Sequence, residues 1–198
     1  MRVRLQKACI LQTGASALVT SSNHLLCGNL LANYWRHAGR VNVDGAVRDL
    51  GGTKLAKACE AIAPLDIGQI GVTPSFFGDG VRTSSIIHAN CPDGEYGPAQ
   101  PREAQYRDMM GNILQAADSN GNKTLAIPAL GCGVMGWHPA IAARISFAAI
   151  SAFEAQSLEE VLFALIETRV HSAFVAAGRK EWGQPAATSG SEFIWHLA

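Results

Sequence analysis

Pro128-Ala-Leu-Gly-Cys-Gly-Val-Met-Gly-Trp-His-Pro139 is a glycine-rich turn, entered from the apolar run Thr124–Ile127 and followed by a segment of helical pattern. Gly131, Gly133 and Gly136 remove side chains where a backbone has to bend tightly and approach a ligand, and successive N–H groups there can form a concave anion-binding nest. The turn is therefore suited to phosphate. A strand that delivers such a turn to a helix is one unit of an α/β fold, and the rest of the chain repeats it. Short apolar runs at Ala8–Gln12 and Ala17–Thr20 read as strands, ahead of helical patterns at Val43–Leu50 and Lys54–Ile62. Gly51 and Gly52 stop the first of these helices, and Thr53 is placed to cap the second. A strand at Ser84–Ala89 follows, then a helix over Arg102–Ala117 with Tyr106, Met109, Met110, Ile113 and Leu114 on one face. Strand Thr124–Ile127, helix Ala140–Gln156, strand Val161–Ile166 and a helix over Val170–Ala177 complete the series.

This alternation predicts an α/β fold, with a largely parallel sheet covered by helices on both faces. Ligands of open α/β sheets sit beyond the carboxyl ends of the strands. The Gly131–Gly136 turn occupies that place after its strand, and Ser21-Ser22-Asn23 occupies it after Ala17–Thr20. Asp93–Gln100 reads as a local Pro/Gly loop, so residues 1–182 form a single domain. From Gly183 the sequence reads as a loosely ordered tail that Phe193, Ile194 and Trp195 could dock.

The chain has 198 residues and is 48% apolar, enough for a substantial core. Sixteen basic and sixteen acidic residues leave no net charge to draw it toward nucleic acid or an anionic membrane. A phosphate ligand would have to be held by local dipoles. The apolar runs fall short of a membrane span, and the Arg2/Arg4/Lys7 start lacks a signal-peptide pattern. A soluble, intracellular protein is expected, with cytoplasm and nucleus not distinguished. Cys9, Cys27, Cys59, Cys91 and Cys132 are scattered without a CxxC pair, which points to a reducing compartment. His24, Cys27 and His37 do not match a zinc spacing, and no metal is expected.

Gly131-x-Gly133-x-x-Gly136 formally matches the dinucleotide-binding fingerprint, which keeps an NAD-dependent oxidoreductase among the alternatives. That fingerprint normally opens the first βα turn and runs straight into its helix. Here it lies late in the chain, and Trp137-His138-Pro139 intervenes. A phosphate-binding Walker loop is excluded because no Gly-Lys-Ser/Thr follows. A second constellation adds to the turn. Asn23 follows a strand and offers a donor and an acceptor to a sugar hydroxyl. Asp44, in Val43-Asp44-Gly45-Ala46, stands where a carboxylate can cap a helix or take a proton from water.

The order Ala17-Leu-Val-Thr-Ser-Ser-Asn23, Val43-Asp44-Gly45-Ala46, Ile86-Ile87-His88 and Ala126-Ile-Pro-Ala-Leu-Gly-Cys-Gly-Val-Met-Gly136 resembles the macrodomain family, from Ala8 to Ala177. The resemblance implies a three-layer α/β/α sandwich with a mixed, mostly parallel sheet, and ADP-ribose or an ADP-ribosylated protein as partner. By motif position, Asn23 matches the asparagine that contacts the distal ribose, and Val43 and Asp44 match the Val-Asp pair, whose aspartate serves hydrolytic, MacroD-like members. Gly131, Cys132, Gly133, Val134 and Met135 match the loop whose amides hold the diphosphate, which accords with the neutral composition. In hydrolytic members water attacks an ADP-ribosyl ester, or an acyl group is removed from the distal ribose. No metal or redox cofactor is needed for that scheme. A non-catalytic reader of ADP-ribose is the alternative. His88 and His138 are candidate acids that also have structural readings.

The chain departs from the family pattern at three places. Thr20-Ser21-Ser22 stands where an Asn-Ala-Ala sequence precedes the asparagine, and the insertion Leu30–Val41, with Tyr34, Trp35, Arg36 and Arg40, replaces a polyglycine link. That insertion reads equally as a lid over the ligand or as surface packing. The third departure is the loss of the acidic residue that recognises adenine, so Gln12 and Thr13 become the candidates for that contact.

Overall fold

The computed structural model describes residues 1–28, 42–78, 81–94 and 99–197, with backbone alone at 99–101. Eight strands form one sheet in the order β3-β4-β2-β5-β6-β1-β8-β7. These are β1 (Arg2–Gln6), β2 (Ala17–Ser22), β3 (Ile70–Pro74), β4 (Ser85–Asn90), β5 (Thr124–Ile127), β6 (Glu160–Ala164), β7 (Ala187–Ser189) and β8 (Glu192–His196). The five central strands β4, β2, β5, β6 and β1 are parallel. β3 closes one edge antiparallel to β4, and the hairpin β8-β7 closes the other antiparallel to β1. Among the described residues, four α-helices cover this sheet: α1 (Val43–Ile62), α2 (Ala99–Ser119), α3 (Pro139–Ser151) and α4 (Thr168–Trp182).

Two-residue alternation along the strands sorts the core into two halves. Val19, Ile87, Leu125, Ile127, Val161 and Phe163 face α2, α3 and α4, through residues such as Tyr106, Met109, Ile113, Phe147 and Phe174. Leu18, Ile86 and Ala126 face the other way, against Val47, Leu55 and Cys59 of α1 and against Ile10. The result is a mixed, mostly parallel sheet between two helical layers, as the resemblance implies. Burying both faces of the central strands explains their near-continuous apolar runs.

Several expectations need correction. Ala8–Gln12 is not a strand. The first strand is Arg2–Gln6, whose alternating charges pair with neighbours, and Ile10–Gln12 is a single 3-10 turn in the crossover to β2. Arg2 and Arg4 both reach the buried Glu160 on the adjoining strand β6, with Arg4 Nη2 at 2.7 Å. One expectation in this stretch holds: Gly52, at φ 56° and ψ −149°, is non-helical and divides α1 into two helices where Gly51 and Gly52 were expected to end the first. Residues 183–197 are no loose tail: β8 pairs with β1, and Trp195 is buried beside Gly178 of α4. Asp118, at the end of α2, accepts from the N–H groups of Gln156, Ser157 and Leu158 and so fixes the turn that leads to β6. These donors, Leu158 first, hold its carboxyl below the ordinary 3.8. No helix among the described residues is long and apolar enough to cross a membrane.

Candidate functional site

β2 and β5 are adjacent and parallel, with Ala17 beside Leu125 and Leu18 beside Ala126. Ser22-Asn23 and Pro128–Met135 therefore leave the same edge of the sheet. In the loop, Gly131 and Gly136 take φ of 69° and 71°, a left-handed backbone that side chains resist. The turn is held from beneath. Trp137 N–H donates to Gly131 O at 3.0 Å, its indole Nε1 donates to Pro92 O at 2.7 Å, and its ring lies 4.9 Å from that of Tyr106. Gly94 N–H donates to Met135 O at 2.6 Å. Among the described residues, the N–H groups of Gly131, Gly133, Val134 and Met135 donate no hydrogen bond. This is a rigid turn with several amides left to a ligand.

In that turn burial, with Glu167 nearby, pushes the Cys132 thiol up to about 12, which favours its neutral form. Burial raises the thiol of Cys91 as well. His138 has the structural role: it is exposed, its Nδ1 accepts from Ala140 N–H at 3.3 Å, and it caps α3. The loop thus reaches its helix through a cap and Pro139, unlike a dinucleotide fingerprint that opens a helix directly.

Asp44 sits in the first turn of α1, but it is not the cap. Asn42 takes that role, its Oδ1 accepting from Gly45 N–H at 2.7 Å. The Asp44 carboxylate is turned onto the sheet and is 6% exposed. Oδ1 accepts from Ser22 Oγ at 2.9 Å and Thr20 Oγ1 at 3.2 Å, and Oδ2 faces Arg48 Nε at 3.4 Å. Thr20 and Ser22 share a strand face with Leu18, so the α1 side of β2 runs from apolar to polar toward its carboxyl end. His88, beside Thr20 in the register, continues this polar patch. Its Nδ1 lies 3.4 Å from Ser22 Oγ and its Nε2 lies 2.9 Å from Thr73 Oγ1. With the Ser22 proton on Asp44, Nδ1–H donates to Ser22 and Nε2 accepts from Thr73. Burial first, and Arg48 second, lower His88 from 6.5 to about 4, so the ring is neutral.

Asn23 follows Ser22 directly. Its side chain closes its own loop: Nδ2 donates to Gly28 O, and Oδ1 accepts from Cys27 N–H at 3.3 Å. Gly28 packs on Arg48, where an added Cβ would lie 2.8 Å from Cδ. Asn23 and Asp44 are thus brought together through Ser22 on one side and through Gly28 and Arg48 on the other. Val43 begins α1 beside them. Gln12 and Thr13 close the 3-10 turn that follows β1. They lie in the crossover toward the start of β2, where Thr13 Oγ1 donates to Ile10 O and Ser16 is tied to Thr124 at the far end of β5. His24 Nδ1 lies against Leu65 O, and no cluster of metal-ligating side chains occurs among the described residues. The insertion Leu30–Val41 lies outside the described residues, as does His37.

Sequence reading missed Thr20, Ser22, Thr73 and Arg48. Two signals pointed to three of them: the period of two from Leu18, and the i,i+4 spacing of Asp44 and Arg48 on a helix.

The family model of the macro domain matches residues 32–146, and the chain belongs to the macrodomain family. A macro domain-containing protein of Ralstonia nicotianae is 29% identical over 182 residues, covering 86% of this chain and 95% of the relative. An O-acetyl-ADP-ribose deacetylase of an Enterobacter species is 35% identical over 123 residues, covering 58% of this chain and 64% of the relative. Among solved structures, a variant of the Oceanobacillus iheyensis macrodomain with ADPR superposes with a TM-score of 0.74 at 22% identity, over 90% of this chain and 91% of the other.

Proposed function

We propose that this protein binds ADP-ribose across the carboxyl edge of the sheet and hydrolyses an ester at its distal ribose. The observation that carries this reading is the placement of Asp44. A buried carboxylate, oriented by three donors, stands against Ser22, one residue before Asn23, at the edge from which the Gly131–Met135 turn also emerges. The unbonded amides of that turn are donors for a diphosphate, which needs no net protein charge. Val134 and Ile166, 59% and 64% exposed in the turns after β5 and β6, offer apolar surface for the rest of the nucleotide. Asp44 then accepts the proton of an attacking water, and Val43, Asp44 and the Asn23 loop place the ribose. The relative named as a deacetylase supports the same chemistry.

A non-catalytic reader of ADP-ribosylated proteins is favoured by one observation: the Asn23 amide is engaged by Cys27 and Gly28 rather than turned to a ligand. Calorimetry with ADP-ribose tests binding, and its absence refutes both readings. Release of acetate from O-acetyl-ADP-ribose, and of ADP-ribose from an ester-modified protein, tests catalysis. Binding without either release leaves the reader.

A further inference from the structure

Both departures from the Asn-Ala-Ala-Asn pattern that carry side chains toward α1, Thr20 and Ser22, place a hydroxyl on Asp44 Oδ1. A carboxylate oxygen has two lone-pair sites, so Oδ1 is fully occupied. Among the described residues, Oδ2 receives Arg48 Nε alone, which leaves one site for a water molecule. The same guanidinium carries a second anomaly: its Nη2 is buried and, among the described residues, has no hydrogen-bond partner. A buried donor without an acceptor is costly, and on a rigid planar fork its direction is set by the Nε contact. Gly28 packs against the stem of that fork, where an added Cβ would lie 2.8 Å from Cδ and 3.1 Å from Nε.

We propose that Arg48 is a further catalytic residue, whose Nη2 takes the carbonyl oxygen of an acyl ester carried on the ribose, beside the reacting oxygen Oδ2 of Asp44. The inference rests on the ester-hydrolase reading above and names its substrate class as an acylated ADP-ribose. Water on Oδ2 gives its proton to Asp44 as its oxygen bonds to the acyl carbon. The carbonyl electron pair moves onto the oxygen held by Arg48. On collapse that pair re-forms the carbonyl, the ester C–O bond breaks, and the ribose oxygen leaves with the proton from Asp44. The products are a carboxylic acid and ADP-ribose. A guanidinium is suited to this role, because it offers a charged donor exactly where negative charge develops and needs no proton exchange of its own.

The test compares native protein, Arg48→Lys and Arg48→Gln on O-acetyl-ADP-ribose and on its thionoacetyl analogue, whose sulfur accepts hydrogen bonds poorly. Both variants are expected to lose about 100-fold in kcat, the loss seen when one oxyanion donor is removed, with KM and ADP-ribose affinity within threefold of native. Native protein is expected to disfavour the thiono ester at least tenfold, and the variants to lose that preference. Equal kcat in Arg48→Lys, or a kcat loss matched by lost ADP-ribose binding, overturns the proposal. If neither variant folds, the thiono comparison on native protein decides alone: no preference for oxygen overturns it. Native protein that binds ADP-ribose and leaves O-acetyl-ADP-ribose intact refutes the hydrolase reading itself. A native hydrolase with unaffected variants refutes only the role of Arg48.

Discussion

Replacing Gly131 by alanine tests the rigidity of the candidate phosphate turn. Its φ of +69° lies in the left-handed region, where a side chain costs about 1 kcal/mol. The new Cβ would also lie 2.5 Å from Trp137 Cδ1 and 2.8 Å from Cys91 Sγ. Neither neighbour is a flexible side-chain end. Trp137 is held by its bond to Pro92 and by Tyr106, and Cys91 is buried. Overpacking of this kind costs about 2 kcal/mol, for a total of about 3 kcal/mol. In a domain of this size that lowers Tm by about 9 °C. Gly133→Ala is the matched control, because nothing lies within 4 Å of its added Cβ and its φ is not in the left-handed region. Its Tm is expected within about 2 °C of native. Differential scanning calorimetry measures both, and ADP-ribose titration shows whether the loss in Gly131→Ala extends to binding. If Gly131→Ala melts with native protein while Gly133→Ala falls, the geometry assigned to the turn is wrong.

Three further outcomes follow from the same contacts. Asp44→Ala is expected to lower ester hydrolysis at least 100-fold, and equal turnover in a progress-curve assay would remove Asp44 from the chemistry. His88 titrates near 4 when folded and 6.5 when unfolded, so the unfolded chain takes up the proton first. Stability from this residue is complete above pH 6.5 and declines as pH falls to about 4, by about 3 kcal/mol; urea titrations across that range show whether it does. Asp118 is shifted downward, so its contribution persists above 3.8 and fades only at still lower pH. Asp118→Ala, which leaves the N–H groups of Gln156, Ser157 and Leu158 without their acceptor, is expected to cost about 3 kcal/mol near neutrality by urea unfolding.

The parallel core was legible because buried strands and their helices carry strong apolar periods: Thr124–Ile127 was read with its observed bounds, the helix over 102–117 was located to within a few residues, and that over 140–156 was placed correctly at its start but ends earlier, at Ser151. The edges were not. β1 alternates arginine with apolar residues and gains its partners from Glu160 and β8, far along the chain. β3 and β7 are short edge strands whose pairing lies with β4 and β8. At the site, glycines and a Val-Asp-Gly segment are visible as a motif, whereas Thr20 and Ser22 look like ordinary strand residues. Their meaning depends on which face α1 covers, and that is decided by the packing of Val47, Leu55 and Cys59. Asp44 looked like a helix cap for the same reason: its neighbour Asn42 takes the backbone donors, and only the fold shows the carboxylate turned inward.

The change from apolar to polar along one face of β2 separates two kinds of constraint within six residues. Val19 belongs to the larger core, Leu18 to the smaller one, and Thr20 and Ser22 to the carboxylate. Substitutions at positions 20 and 22 can therefore retune what surrounds Asp44 while the larger hydrophobic layer keeps its packing. Loss of either hydroxyl is felt first by the Asp44 carboxylate and, at position 22, by His88, so a laboratory library confined to these two positions varies the surroundings of one buried charge.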